Sequence, residues 1–168
     1  MNETIITKLP DQKQLKVTRN FSAPVDLVWK AWTDPEILDK WWAPKPWKAV
    51  TKSMDFRPGG RWLYSMNGPA GERHWSKSDF LKINAQSMYE AMEAFCDQEG
   101  NENTDIPAMH WNVQFSQTGS VTRVEVLISF PTEEAIEKIV EMGFKEGFTA
   151  AHNNLDELLE GLQAEMNT

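Results

Sequence analysis

The sequence is poor in the residues that staple or metallate small folds. It holds one cysteine, Cys96, which excludes an intrachain disulfide and a cysteine-built zinc cluster. Its three histidines, His74, His110 and His152, form no HxH or HxxxH pair, so no metal and no cofactor are expected. Apolar runs stop at three residues, as in Val126-Leu127-Ile128, whereas a membrane span needs about 20. The opening stretch MNETIITKLPDQ has neither a basic start nor an apolar core, so no secretory signal is expected and the cytoplasm is the expected location. No G-x-S-x-G element points to a serine nucleophile. Cys96 is flanked by Asp97 and Glu99, neighbours that raise a thiol pKa rather than activate it. No repeat, low-complexity tract or linker divides the chain, and 168 residues suit one domain over 1–168. A domain of that size buries roughly 70% of its unfolded surface without staples.

Charge is unevenly placed. The net value is −8 and the pI about 4.9, which argues against nucleic acid as a partner. Residues 1–131 carry 16 acids and 15 bases, whereas residues 132–168 carry 9 acids and 2 bases. The acidic end reads as a solvated helix face, with a docking surface for a basic partner as the alternative.

What the chain has in excess is tryptophan. Seven of its eight lie between Trp29 and Trp75. Indoles bury much area and carry one polar atom each, so the cluster is core, interface or pocket wall.

Alternation in KQLKVTRNF (13–21) predicts a strand with one wet face. Ser22-Ala-Pro introduces a helix over about 24–33, and Asp34-Pro35 starts a second over about 35–41. Strands are predicted over 47–56, 61–67, 73–83, 88–96, 109–117 and 121–130, with Arg57-Pro-Gly-Gly60 and Gln117-Thr-Gly-Ser120 as turns. From Thr132 the period becomes helical, with Glu133 and Glu134 in the favourable first turn. Gly143 and Gly147 mark either a helix break or close packing. A sheet with one apolar face needs a cover, and the final helix is long enough to supply it. The fold class is therefore α+β: a curved antiparallel sheet of six to seven strands gripping a long C-terminal helix, with two short helices near the N-terminus. A cavity between sheet and helix is expected.

Three segments resemble a known family. FSAPVDLVWKAWTDPEILDKWWAP (21–44), MDFRPGGRWLYSM (54–66) and FPTEEAIEKIVEMGFKEGFTAAHNNLDELL (130–159) are similar to the SRPBCC (START/Bet v 1-like) superfamily. Within it they resemble homologues of the activator of the heat-shock-protein-90 ATPase. The resemblance implies a helix-grip fold with an apolar cavity between sheet and C-terminal helix. It implies no single activity, since the superfamily includes lipid carriers and polyketide cyclases.

Candidate ligand-binding residues follow. Trp41 and Trp42 end the second helix, which in this family lies near the cavity mouth. Trp62 and Tyr64 share one strand face with Met66, and Trp111 shares another with Val113 and Phe115. Met142, Phe144 and Phe148 are placed to close the cavity from the helix side. His152, one turn after Phe148, is placed to reach it. Strand parity does not separate filled core from open pocket for any of these. Of the strand carboxylates, Glu90 and Glu93 point to opposite faces, so one of them turns inward.

The reading is a small-molecule binding protein for an apolar or aromatic ligand, a monomer or homodimer, with no catalytic residues assigned. The alternatives are a cyclase- or hydratase-like enzyme using the same cavity, or a partner of a chaperone ATPase. The chaperone role is disfavoured because one domain offers no second binding arm.

Overall fold

The computed structural model describes residues 2–166. Strands β1 (Ile5–Leu9) and β2 (Gln14–Phe21) form a hairpin through one 3-10 turn. Helices α1 (Val25–Thr33) and α2 (Pro35–Trp41) follow. Then come β3 (Lys48–Met54), β4 (Arg61–Asn67), β5 (Arg73–Asn84), β6 (Met88–Cys96), β7 (Met109–Thr118) and β8 (Val121–Ser129). Helices α3 (Glu133–Glu141) and α4 (Phe144–Met166) end the chain. The eight strands build one antiparallel sheet in the order β1-β2-β8-β7-β6-β5-β4-β3. Strands β3 to β8 are sequential neighbours, whereas β2 pairs with β8, Val17 opposite Val126. Bulges at Thr51/Ser53 and Phe80/Lys82 bend two strands and help the sheet curl.

The helix-grip architecture is the expected one, with one strand more. That strand, β1, is five residues long on the sheet edge, and Ile5 is exposed. Without a buried face it carries no period-2 signal to read.

Helix starts follow their caps. Asp34 Oδ1 accepts the Glu36 amide at 2.9 Å with Pro35 in the first turn, and Thr132 Oγ1 accepts the Ala135 amide at 3.1 Å. The final helical segment is two helices. Gly143 has φ +94°, a left-handed conformation that ends a helix and that side chains resist. Gly147 continues α4, and its Cα faces Pro44, whose Cγ would lie 3.8 Å from an added Cβ. So the first glycine is the break and the second a close-approach position.

The inner face of the sheet is set by register. Leu15, Val17 and Phe21 of β2, Val124, Val126 and Ile128 of β8, and Trp111, Val113 and Phe115 of β7 are buried there. Helix α4 lays Phe148, Ala151, His152, Leu155 and Leu159 against this face. A polar fastening joins the two ends. Buried Arg19 donates to Thr4 Oγ1 at 2.8 Å and pairs with Asp156 of α4. Thr4 Oγ1 is also hydrogen-bonded to His152 Nδ1 at 2.8 Å. Burial, with the nearby Arg19 charge, pushes His152 down to about 3, so its imidazole is neutral.

Candidate functional site

The space between sheet and helices is occupied in two ways. On the side of α1 and α2 it is packed with rings. Trp32 meets Trp41 at 5.0 Å, Trp42 at 5.8 Å and Phe115 at 6.0 Å between centroids, all edge to face. Such contacts add about 0.5–1.5 kcal/mol each beyond area burial. Trp41 is fully buried, and its Nε1 donates to Ala31 O at 2.9 Å.

Toward the other end of α4 the packing opens. A pocket of about 610 Å³ is walled by Trp42 and Pro44, the inner faces of β4 to β7, and the junction of α3 and α4. Its apolar lining includes Met66, Met109, Trp111, Ile139, Met142, Phe144 and Phe148. The opening arises where side chains are small: Ser76 on the sheet and Gly143 and Gly147 on the helices. At the rim Trp47 stacks on His74, 5.6 Å apart at 26°.

Cross-strand register places the polar groups. One row across the inner face is Trp62, Ser78, Glu93, Met109; the next carries Tyr64 beside Ser76. Tyr64 Oη accepts the Trp42 Nε1 hydrogen at 3.0 Å. Burial, then the neighbouring Glu93 charge, pushes the Tyr64 phenol well above its ordinary value. Glu93 is 8% exposed and lines the pocket. Burial pushes its carboxyl up to about 8, against a hydrogen bond with Ser78 and with a further rise from Asp79. The group is therefore a neutral acid at pH 7, a donor as well as an acceptor. Trp111 Nε1 is buried with no hydrogen-bond partner among the described residues.

On the outer side of the same strands the charges are paired. Arg61 and Lys77 both bind Asp79, Lys77 at 3.3 Å, and Lys77 and Arg73 also contribute to the pocket lining. Burial raises Asp79, but the Arg61 hydrogen bond and the Lys77 charge hold it below the usual carboxylate range. His110 Nε2 lies 3.0 Å from Glu90. Burial lifts Cys96 above the ordinary thiol value, Lys77 opposing and Asp97 adding, which disfavours the thiolate.

Of the residues singled out from the sequence, Trp42, Tyr64, Trp111, Met142, Phe144 and Phe148 border the pocket. Trp41, Trp62 and His152 do not. Trp41 points into the ring-packed side, and His152 is turned to Thr4 and Phe21. Trp62 stands behind Tyr64, stacked at 4.0 Å, with its Nε1 donating to Thr51 Oγ1 at 3.0 Å. Glu93, open against Glu90 in the sequence, is the inward carboxyl. Met109 and Ile106 were not singled out for the site, although Met109 shares the strand parity of Trp111.

Residues 22–160 match the family described as Activator of Hsp90 ATPase homolog 1-like protein. The chain belongs to this family. Among solved structures of comparable fold, protein Ms6760 from Mycobacterium smegmatis is 31% identical, with TM-score 0.87 over 94% of this chain and 96% of that one. A protein from Arthrobacter aurescens is 29% identical, with TM-score 0.88 over 94% and 91%. The AHSA1 protein from Silicibacter pomeroyi, 17% identical with TM-score 0.70 over 88% and 97%, shares the fold. No curated protein matches the chain. These solved structures share the fold of this chain. Among the described residues no helix is long and apolar enough to cross a membrane.

Proposed function

We propose that this protein binds a small, largely apolar molecule in the pocket between sheet and helices, in the cytoplasm, without a reaction of its own. The observation that carries the reading is the pocket of about 610 Å³, whose wall is mostly aromatic rings and aliphatic side chains, with Arg73, His74, Lys77 and Glu93 among its polar groups. Ligand sites of this size are typically apolar with a few placed polar atoms. The superfamily fold, commonly a ligand binder, supports the same reading. Apolar burial contributes roughly 25 cal/mol per Å², less the cost of association, which makes roughly micromolar affinity reasonable for a drug-sized molecule.

The test is a titration with the neutral probe N-phenyl-1-naphthylamine, read by tryptophan quenching and probe emission. Saturable binding is expected, weakened about tenfold in Trp42→Ala and unchanged in His110→Ala on the outer face. Absence of saturable binding to the wild type would overturn the reading.

A further inference from the structure

The charge of the pocket runs against the charge of the chain. Acidic residues outnumber basic ones 25 to 17 overall, yet the pocket lining holds two bases, Arg73 and Lys77, against one acid, Glu93. The two bases differ in what they have left to offer. Lys77 is buried, and its ammonium is engaged by Asp79 at 3.3 Å and Glu102 at 3.8 Å. Arg73 is exposed at the first residue of β5. Of the five arginines, Arg19, Arg57, Arg61 and Arg123 each pair with a carboxylate, whereas Arg73 forms no ion pair with any described residue. The adjoining acid, Glu72, is turned into the β4–β5 turn, where its Oε1 accepts the Ala70 amide at 2.8 Å.

The Arg73 guanidinium is nonetheless held in place. Register sets Arg73 opposite Asn67 at the end of β4. Its Nε donates to Asn67 Oδ1 at 2.9 Å, and Asn67 Nδ2 donates to the buried Ser65 Oγ at 3.0 Å. The terminal nitrogens, Nη1 and Nη2, have no acceptor among the described residues. Two N–H groups on a fixed guanidinium match the two oxygens of a carboxylate. The next residue, His74, stacks on Trp47 and pairs with Met66, and all three line the pocket. The cation therefore stands where the apolar wall meets water.

We propose that the pocket takes an apolar molecule with a carboxylate at one end, the carboxylate bound by Arg73 at the rim and the apolar body packed inside against Met66, Met109, Phe144 and Phe148. The inference rests on the binding reading above and specifies the ligand class of that site. A few placed polar groups in an apolar pocket fix the orientation of what binds there, and Arg73 fixes it head outward. A hydrocarbon would leave the guanidinium unpaired, and an ammonium would meet it as a like charge. The one acid in the lining does not oppose the head group. Glu93 lies opposite Ser78, five residues beyond Arg73 along β5, roughly 16 Å at the rise of a strand.

The experiment compares near-isosteric probes: 2-naphthylacetate, 2-naphthylacetamide and 2-(2-naphthyl)ethylammonium. Affinities are measured by calorimetry at pH 7 and low salt on wild type, Arg73→Gln, Asn67→Ala and Arg123→Gln, with melting curves for each. The decisive quantity is the carboxylate-to-amide affinity ratio. Comparing it between proteins cancels the difference in hydration between the two probes. It should fall about tenfold in Arg73→Gln. In Asn67→Ala, which keeps the charge but frees the guanidinium of its positioning residue, it should fall about threefold. It should stay within about twofold in Arg123→Gln, which removes the same charge from a residue outside this pocket. An unchanged ratio in folded Arg73→Gln, with N-phenyl-1-naphthylamine still bound, would overturn this proposal and leave the binding reading standing. An equal fall in Arg73→Gln and Arg123→Gln would overturn it too, by showing an effect of net charge alone. So would tighter wild-type binding of the ammonium probe than of the carboxylate. Failure of every probe to bind the wild type, N-phenyl-1-naphthylamine included, would remove the binding reading itself.

Discussion

The two ends of the gap between sheet and helices are built from similar materials and differ in outcome. Near α1 and α2, four rings (Trp32, Trp41, Phe115 and Phe148) interlock at centroid distances of 5.0–6.3 Å. Toward the α3–α4 junction the rings are as many, but the facing positions are Ser76, Gly143 and Gly147. Aromatic content therefore does not decide between core and pocket. The volume of the residue across the gap does. Trp42 stands at the boundary, edge-on to Trp32 at 5.8 Å and bordering the open side.

The strongest way to break this contrast is Trp41→Ala. Trp41 is fully buried in the packed half, so its truncation should cost about 3–5 kcal/mol of stability. Probe affinity in the folded protein should be nearly unchanged. Denaturant curves and titration on the same preparation check both halves of that statement.

The second effect is linked to pH. Glu93 binds its proton more tightly in the folded protein, with a value near 8, than in the unfolded chain near the ordinary 4.3. Its stabilising contribution is whole below about pH 4 and is lost as pH rises toward 8. Between pH 5 and pH 7 the wild type should lose about 2–3 kcal/mol that Glu93→Gln does not lose. Parallel curves for the two proteins across that window would show that Glu93 is not held neutral.

Third, Gly147→Leu should fill the open half from the helix side. The nearest neighbour of a new Cβ is Pro44 Cγ at 3.8 Å, an ordinary contact, and leucine is the better helix former by nearly 1 kcal/mol. Stability should hold or rise slightly while probe binding weakens about tenfold or more. The smallest effect belongs to His152. With its value near 3, its ring resonances should not titrate between pH 5 and 8.

Much of this contrast lies beyond what a linear reading supplies. Strand parity puts Trp62, Tyr64 and Trp111 on inner faces, and the period change at Thr132 locates the covering helices, because both are local signals repeated over many residues. The α1 and α2 starts are legible from Pro24 and Asp34-Pro35 for the same reason. Edge strand β1 has no such repetition. Whether Trp62 borders a pocket depends on Tyr64 stacking in front of it and on Thr51 from β3 accepting its hydrogen. That is a cross-strand fact with no sequence spacing attached. Glu93 and Glu90 are distinguishable by face but not by which face is inside, until the neighbouring strand β5 sets the register. The two glycines looked alike in the sequence, yet only Gly143 takes a positive φ.

The fastening of Arg19 and Thr4 to His152 and Asp156 also fixes an order of events. Strands β3 to β8 pair with their immediate successors, so the sheet wall of the pocket is assembled from short-range hairpins as the chain is synthesised. Besides the local hairpin with β1, β2 meets β8 and α4, more than 100 positions downstream, and contacts of such sequence separation form slowly. The ring-packed half thus closes last, when α4 becomes available to β2. Until then the α4-facing side of Trp32 and Trp41 is without cover, which makes the chain most prone to self-association before α4 docks.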